Sequence, residues 1–351
     1  MKRKEINPKT KRVLLIILSV LLAVILIALI LGTAYMEKML NLINRNPDDS
    51  TISSEEYQEF LEKQEETLDS NYTGETDDPN DVQWESNKAP VTDEEHIINI
   101  MLIGQDRRPG QGRQRSDVMV LCTVNKSTQE LTLTSFMRDM YVPIPGYEDN
   151  KMNATYAFGG MKLLDKCLEN SFGIHVDGNI EVDFDGFRDV IDLMGGVEIN
   201  LTNSEANHLI SKGYKVHAGV CQLDGRTALI YVRTRSVGNG DFDRTGRQRK
   251  LLNALIDKCK GMSLNQMKNL LEKALPMITT DMSNRQLLDY LMELVPILAN
   301  LKVNNLRIPA DNTSEQTYYK YAYYKHAGSV LVPDLEANRQ KLQEIMAKAP
   351  E

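Results

Sequence analysis

The order of apolar and polar positions divides the chain into three stretches of different character. Residues 13–31 form one continuous uncharged, apolar run, and no charged side chain follows it before Glu37. Residues 37–95 are rich in Glu, Asp, Ser, Thr and Asn and show no core pattern, which predicts a solvated segment. From about His96 onward, apolar runs alternate with turn residues, as they do in a folded domain.

Both strands and helices are predicted in this last stretch. The near-continuous apolar runs at 97–103 and 117–124 predict strands that are buried on both faces. Further strands are expected at 131–136, 197–201 and 303–309. Helical periodicity is found at 160–172, 186–194, 245–260, 264–275, 285–301 and 335–347. Strands mixed with helices predict an α/β fold, a layered α/β/α domain with a mixed central sheet.

The N-terminal apolar run is long enough to cross a bilayer. About 20 helical residues span the ~30 Å hydrocarbon core, whereas the apolar part of a secretory signal usually has about 7–15 residues. Basic residues dominate the flank before the run, so the positive-inside rule places residue 1 in the cytoplasm. We therefore expect a cytoplasmic tail at 1–12, a transmembrane signal-anchor at 13–35, an acidic extracytoplasmic spacer at 36–95 and a folded domain at 96–351. A cleaved signal peptide is the alternative.

Composition excludes some classes of function. The formal net charge of −8 argues against a general nucleic-acid binder, because such proteins usually carry a basic face or tail. The four cysteines contain no C-x-x-C pair and no nearby histidine spacing, so a zinc site is not expected. Export permits a disulfide, but the sequence does not decide the pairing of Cys167, Cys221 and Cys259, whereas Cys122 lies in an apolar strand pattern.

Arginine and aspartate are concentrated in four short stretches, at 103–117, 135–146, 231–235 and 241–249. Arginine presents a planar fork of donors that matches phosphate oxygens, and here it stands beside aspartate in Gly-rich and Pro-rich turns. The four stretches together predict a phosphate site. For Arg138, followed by Asp139, the alternative is an ordinary salt bridge within a turn.

The first of these stretches follows a buried strand. It brings Asp106 and Arg108 to the edge of the sheet, where open α/β sheets bind their ligands, and Asp117 opens the next strand. Two carboxylates from adjoining strand ends, completed by phosphate oxygens, suit Mg²⁺. Salt bridges from these carboxylates to neighbouring arginines are the alternative.

The third stretch contains two arginines at strand spacing. Arg233 and Arg235 are two residues apart, which predicts that both guanidinium groups project from one face of a strand. Like charges side by side repel each other unless an anion joins them. This pair therefore indicates an anion site.

The fourth stretch predicts the start of a helix. Arg244, Arg247 and Gln248 are three and four residues apart, so the first turns present them along one side. The free N–H groups and partial positive charge of a helix N-terminus also favour phosphate. An ordinary surface helix with Arg247 and Arg249 in water is the alternative, and for Arg249 it is the preferred interpretation.

These ordered motifs resemble those of the LytR-CpsA-Psr family of bacterial cell-wall ligases. The resemblance covers about residues 96–350. It rests on RSD at 115–117, FMRD at 136–139, KMNATYAFGG at 151–160, VDFDGFRDVIDLMGGV at 182–197, LDGRTALIYVRTR at 223–235 and DFDRTGRQR at 241–249. The chain departs from the usual pattern at Met137, where many relatives have proline, and at Gln105, where a small residue is common.

The resemblance implies transfer of a glycan phosphate from a polyprenyl-pyrophosphate carrier to peptidoglycan, outside the cell beside the lipid bilayer, with Mg²⁺. The implied catalytic residues are Arg138, Arg235, Asp241 and Arg244. The implied pyrophosphate ligands are Arg108, Arg115, Arg138, Arg233, Arg235, Arg244, Arg247 and Gln248. Asp106 and Asp117 would hold the metal, and Asp241 would either activate the acceptor hydroxyl or orient Arg244.

The family's apolar tunnel for the polyprenyl chain suggests a further set of residues. Each of them equally suits a plain hydrophobic core. The candidates are Phe158, Phe184, Phe187, Leu193, Met194 and Leu229.

Two other functions fit the same sequence. A pyrophosphatase would hydrolyse the same carrier with water as the acceptor. A non-catalytic regulator would bind the lipid-linked glycan and act through partners. Direct control of DNA is not expected, because about a dozen cytoplasmic residues cannot form a helix-turn-helix.

Overall fold

The structure is a computed structural model. It describes residues 34–45, 49–69, 75–84, 95–105, 112–294 and 300–346, together with residues 32, 107, 296 and 297. Of the predicted membrane span at 13–35, only 32, 34 and 35 are among them. In the described part of the chain, no helix is both long and apolar enough for a membrane span.

The strands and helices are numbered in chain order. The strands are β1 Ile97–Gln105, β2 Ser116–Asn125, β3 Glu130–Phe136, β4 Tyr141–Val142, β5 Asn150–Lys151, β6 Gly178–Asp183, β7 Val197–Leu201, β8 Gly219–Leu223, β9 Ile278–Thr280, β10 Lys302–Ile308, β11 Tyr319–Tyr324 and β12 Gly328–Pro333. The helices are α1 Ser54–Asp69, α2 Met152–Phe172, α3 Phe184–Leu193, α4 Asn203–Ser211, α5 Gly225–Arg233, α6 Gly240–Lys260, α7 Leu264–Ala274, α8 Asn284–Leu294 and α9 Leu335–Met346. Short 3₁₀ turns lie at Pro79–Asp81 and Leu275–Met277.

The central sheet is six-stranded, in the order β10-β3-β2-β1-β6-β9. The β1–β6 and β3–β10 pairs are parallel, and the β1–β2, β2–β3 and β6–β9 pairs are antiparallel, so the predicted mixed sheet is confirmed. Gln105 at the end of β1 pairs with Ser116 on one side and Asp183 on the other. The chain ends of β1, β3 and β6 and the start of β2 therefore share one edge of the sheet.

Each face of the sheet is covered by its own hydrophobic core. Along β1, Met101 and Ile103 pack in the core that contains residues of α2 and α9. Ile98 and Leu102 point the other way, as alternation along a strand requires, and pack with Leu252 of α6. The expected layered arrangement follows from this alternation. A third core joins α3, α4 and α5 to the antiparallel β7–β8 pair.

Most of the long predicted elements are present, but the segment 231–235 is not a strand. It contains the end of α5. Asp224 caps the start of this helix, and its carboxylate accepts a hydrogen bond from Thr227 N at 2.7 Å. Gly225 allows α5 to approach α3 closely, because a Cβ there would lie 2.1 Å from Arg188 O. Among the described residues, α8 ends at Leu294, seven positions before the predicted end at 301.

Parts of the predicted spacer pack against the domain. The side chains of Met39 and Leu40 are buried with Leu275. Tyr57 and Phe60 of α1 place their ring centroids 5.2 Å and 4.8 Å from that of Phe158. These aromatic and aliphatic residues are spaced among many acidic ones, so the composition of 37–95 gives little sign of their contacts.

The four cysteines are all free thiols. Cys167 of α2 is buried in the core on the α2 face of the sheet, and Cys221 of β8 is buried in the core of the β7–β8 pair. Burial raises the pKa of Cys122 and of Cys167 to about 12. Both thiols are therefore protonated and unreactive at neutral pH.

Candidate functional site

Charged side chains from five separate segments meet at the edge of the sheet. Asp117 comes from the start of β2, and Arg138 follows β3. Arg235 follows α5, whereas Asp241 and Arg244 lie on the first turns of α6. Asp139 and Lys151 complete the group, which we name the Arg–Asp cluster: Asp117, Arg138, Asp139, Lys151, Arg235, Asp241 and Arg244.

Asp241 lies at the centre of the Arg–Asp cluster. Its Oδ2 is 3.2 Å from Arg138 Nε and 3.0 Å from Arg244 Nη2. Its Oδ1 is 3.0 Å from Arg235 Nε. One carboxylate thus holds three guanidinium groups together, from parts of the chain about one hundred residues apart.

Arg138 links Asp241 to the other carboxylates. Its Nη1 donates to Asp117 Oδ1 at 2.6 Å, and its Nε lies 3.5 Å from Asp139 Oδ2. Lys151 Nζ lies 3.5 Å from the other oxygen of Asp139. Arg138 is therefore surrounded by carboxylates, and although burial acts to lower its pKa, Asp139 and Asp241 raise that pKa above the ordinary value.

The charges of the Arg–Asp cluster are strongly perturbed. Burial raises the pKa of Asp241, and a hydrogen bond with Asp139 raises it further. Burial and the neighbouring Arg138 lower the pKa of Arg244 to about 10. Arg244 is 3% exposed, and its Nε is a buried donor without a hydrogen-bond partner. A buried guanidinium with an unused donor is a favourable place for an incoming anion.

An apolar cavity of about 590 Å³ opens at the Arg–Asp cluster. It lies between the sheet and helices α3, α5 and α6. Its polar mouth is formed by Asp117, Arg235, Arg244 and Gln248. Its walls are aliphatic and aromatic, and they include Leu102, Val118, Ile180, Val182, Phe184, Phe187, Leu229, Val232 and Leu251.

The tunnel candidates from the sequence divide into two groups. Phe184, Phe187 and Leu229 line the cavity. Phe158 instead lies in the main core on the other face of the sheet. Neither Leu193, which is 37% exposed, nor the buried Met194 lines the cavity. Phe158 is therefore a plain core residue. Of the six tunnel candidates, only Phe184, Phe187 and Leu229 form part of the cavity wall.

Two further predicted pyrophosphate ligands, Arg233 and Gln248, line the cavity, whereas Arg115 contacts α1. Arg233 lines the cavity, with its guanidinium carbon 4.4 Å from the centre of the Phe184 ring. Gln248 is buried at the mouth. Arg115 Nη2 donates to Gln64 at 2.6 Å, and its guanidinium stacks on Phe60 of α1 at 4.5 Å.

Arg247 does not belong to the Arg–Asp cluster. Its Nε donates to Glu205 Oε1 at 2.9 Å, and its other two nitrogens donate to the carbonyl oxygens of Thr234 and Val237 at 2.9 and 2.7 Å. Each of its three guanidinium nitrogens donates a hydrogen bond to the protein, so the geometry assigns Arg247 to a buried structural network. The expectation that Arg249 lies in water is also wrong, because Arg249 is half-buried and burial lowers its pKa to about 10.

The remaining predicted site residues, Asp106 and Arg108, lie outside the described residues. Within the part of the chain that the structure describes, no group of three or more His, Cys, Asp or Glu side chains could hold a metal ion by itself. Asp117 does supply a suitable hard oxygen ligand at the mouth of the cavity. Its Oδ1 is already bonded to Arg138, so a bound Mg²⁺ would need oxygen ligands from the substrate as well.

Sequence reasoning missed Asp139 and Lys151 as members of the site. Lys151 immediately precedes α2. The next residue, Met152, donates its backbone N–H to Met140 O at 2.7 Å. This contact fixes Lys151 beside the turn that carries Arg138. A single basic residue at the start of the KMNATYAFGG stretch was the available signal.

Comparison with known proteins gives one consistent family. The family model described as the LytR_cpsA_psr family matches residues 57–332. The polyisoprenyl-teichoic acid–peptidoglycan teichoic acid transferase TagU of Enterococcus faecalis is 38% identical over 170 residues, which are 47% of this chain and 53% of the relative. The regulatory protein MsrR of Staphylococcus aureus is 34% identical over 177 residues, 50% of this chain and 53% of the relative. The chain spans about half the length of these curated relatives.

The fold comparison agrees with the sequence comparison. A solved structure described as TagT bound to LIIa-WTA superposes with a TM-score of 0.58 and 26% sequence identity. The match covers 72% of this chain and 92% of that chain. The similarity therefore includes nearly the whole of that solved chain.

Proposed function

Because this chain belongs to the LytR_cpsA_psr family, we propose that it transfers a glycan phosphate from a polyprenyl-pyrophosphate carrier to a peptidoglycan hydroxyl. One observation carries the proposal: three guanidinium groups share Asp241 at the mouth of an apolar cavity. The cationic mouth suits a pyrophosphate and the apolar cavity suits a lipid chain. The similar proteins named teichoic acid transferase and the TagT structure with LIIa-WTA support the same donor class.

The proposed reaction breaks one P–O bond and forms another. The acceptor hydroxyl oxygen attacks the phosphorus that carries the glycan, its proton passes to solvent water, and the P–O bond to the departing polyprenyl phosphate breaks. Negative charge develops on the leaving phosphate, next to Arg138, Arg235 and Arg244. Phosphoryl transfer is catalysed largely by such positioning and charge stabilisation, for which the three arginines are well placed.

Mg²⁺ is part of this proposal. Asp117, with Asp106 as the second carboxylate, would hold the ion together with phosphate oxygens, and the ion would neutralise the pyrophosphate charge. Chelation with EDTA should abolish transfer, and added Mg²⁺ should restore it. Full activity of a metal-free preparation would remove the cofactor from the proposal.

Two roles are considered for Asp241: activation of the acceptor hydroxyl and positioning of the arginines. Its contacts favour the second role. Both of its oxygens are engaged by arginines, and a carboxylate that bonds three guanidinium groups keeps them from separating. Its raised pKa also suits a general base. We propose that Asp241 positions the guanidinium groups.

A location at the outer face of the cell membrane, with a cytoplasmic N-terminus, completes the proposal. The enzyme and its lipid carrier would then share one membrane and meet at high effective concentration. Fractionation of cells, followed by protease treatment of intact protoplasts, tests it. Degradation of the domain from outside is expected, and a protected domain would contradict it.

The decisive test of function separates a ligase from its two rivals. The purified full chain is incubated with a lipid-pyrophosphate glycan, Mg²⁺ and soluble peptidoglycan fragments. A covalent glycan–peptidoglycan conjugate is expected. Free phosphorylated glycan alone would establish a pyrophosphatase. Tight binding of the lipid without either product would favour the regulatory function. The similar protein MsrR is named as a regulatory protein.

A further inference from the structure

A row of aromatic rings leads away from the Arg–Asp cluster across the surface. Phe242 follows Asp241 on α6, and its ring centroid lies 5.7 Å from that of Tyr319 on β11. Tyr319 lies 5.5 Å from Tyr321 in an edge-to-face arrangement. We name Phe242, Tyr319 and Tyr321 the aromatic row. The row begins at the residue that follows Asp241 in α6, one position along the helix from the Arg–Asp cluster.

The aromatic row becomes more exposed along its length. Phe242 and Tyr319 are half-buried, and Arg307 covers the Phe242 ring at 4.5 Å. Tyr321 is 71% exposed. Residues two apart in a strand share a face, so Tyr319 and Tyr321 lie on the outer face of β11, whereas Tyr324 packs in a core on the other face. Core packing thus explains an aromatic residue at position 324, but it does not explain one at the exposed position 321.

The outer end of the aromatic row lines a groove of about 740 Å³. Trp84 and several carboxylates also line the groove. The acidic lining residues are Asp77, Asp78, Asp81, Asp334 and Glu336, and Lys320 is the basic one. A groove with this excess of negative charge repels a polyanion and accepts hydrogen bonds from neutral hydroxyl and amide groups.

The two reactants of the proposed transfer differ in the properties that this surface selects. The donor carries phosphate groups, which the carboxylates repel. A glycan strand is rich in hydroxyl and N-acetyl groups that donate hydrogen bonds. Its rings also present C–H faces, and the negative faces of aromatic rings attract these weakly positive hydrogens. Aromatic rings flanked by carboxylates therefore match the acceptor and mismatch the donor.

We propose that the aromatic row and its groove bind the glycan strand of the acceptor and guide it toward Asp241. This inference rests on the proposed function for the identity of the ligand. It adds a binding surface on β11, outside the Arg–Asp cluster and outside the apolar cavity.

The test measures acceptor binding separately from turnover. The full chain, purified in detergent, is titrated calorimetrically with soluble, uncross-linked peptidoglycan glycan strands, and the KM for the same strands is measured in the transfer reaction. Tyr321→Ala is expected to weaken binding and raise that KM by about three- to tenfold, the range that the loss of one ring contact gives. The affinity for the lipid donor and kcat should stay unchanged, because Tyr321 contacts neither the cluster nor the cavity.

Two further variants complete the test. Tyr321→Phe keeps the ring and should retain most of the affinity. Met292→Ala removes a large apolar side chain of α8 that is 68% exposed, and it should bind glycan strands as the original chain does. Equal affinity of the Tyr321→Ala variant would overturn the inference. Binding of free stem peptides in place of glycan strands would also overturn it and identify a peptide groove.

Failure of the proposed function gives a different pattern. A chain that yields no conjugate but still binds glycan strands in a Tyr321-dependent manner would retain the aromatic row as a glycan site and lose the transferase proposal. Normal transfer with an acceptor KM independent of Tyr321 would retain the transferase proposal and exclude the aromatic row as a glycan site.

Discussion

Arg244 and Arg247 lie one helical turn apart on α6, yet the protein uses them in opposite ways. Arg247 directs its nitrogens to Glu205 and to two backbone carbonyl oxygens. Arg244 is equally buried, shares Asp241 with two other arginines, and keeps a buried Nε without a partner. A satisfied buried arginine stabilises the fold, whereas an incompletely satisfied arginine beside like charges is prepared for an anion.

The largest effect is expected from removal of Arg138, which, like Arg244, bonds Asp241 in the Arg–Asp cluster. Arg138→Ala should reduce transfer by about 10³-fold, since loss of one donor to developing negative charge typically costs about 10²- to 10³-fold. Initial rates of conjugate formation measure this. Arg285→Ala, which removes a 92% exposed guanidinium from α8, is the matched control and should be normal. Comparable rates for both variants would exclude Arg138 from the reaction.

Removal of Arg247 should affect the fold and spare the chemistry. Arg247→Ala leaves the carboxylate of Glu205 buried without its partner, and breaking such a pair costs about 3 kcal/mol or more. Denaturant unfolding measures the loss. The folded fraction should transfer glycan at the original rate. A stable Arg247→Ala protein with a 10³-fold slower reaction would place Arg247 in the pyrophosphate site after all.

Asp241→Asn distinguishes positioning from base catalysis. Without the negative charge, the three guanidinium groups repel each other and separate, so we expect about 10- to 100-fold slower transfer together with weaker donor binding. Donor calorimetry and the pH–rate profile measure the two quantities. Unchanged donor binding with loss of the acidic limb of that profile would instead establish Asp241 as the general base.

The smallest effect concerns Glu205, the partner of Arg247. Although burial acts to raise it, hydrogen bonds from Thr202 and Arg247 hold the pKa of Glu205 below its ordinary value of 4.5. A depressed pKa gives stability that is present above pH 4.5 and is lost as the pH falls through the folded-state value. Glu205→Gln should therefore cost about 1 kcal/mol at pH 7 and progressively less in acid. A loss that is independent of pH would contradict this linkage.

The sequence predicted those parts of the fold that depend on local pattern. The strands at 97–103 and 117–124 were found because both faces are buried, and the helices at 264–275 and 335–347 because their apolar residues recur at helical spacing. The segment 231–235 was assigned wrongly, because two arginines at alternate positions match a strand as well as the end of a helix. Asp224, which caps α5, lies seven residues before that segment.

The sequence predicted which arginines belong to this part of the molecule, but not which of them face the ligand site and which are structural. Arg244 and Arg247 occupy the same motif and have the same chemistry, so their spacing suggests one shared ligand. What separates them is the position of Glu205 and of two carbonyl oxygens, which depends on the packing of α4 against α5 and α6. Backbone acceptors leave no trace in residue identities, so the sequence alone could not reveal that Arg247 is satisfied.

The central claim is that guanidinium groups at the cavity mouth bind the pyrophosphate of the donor. Arg235 offers the cleanest test, because its side chain is 46% exposed and its removal should leave the fold intact. The measurement is the calorimetric Kd of a short polyprenyl pyrophosphate in the presence of Mg²⁺, for the original chain, Arg235→Ala and Arg285→Ala. We predict that Arg235→Ala binds about tenfold more weakly, equivalent to about 1.4 kcal/mol, and that Arg285→Ala is unchanged. Equal affinity of all three proteins would contradict the claim.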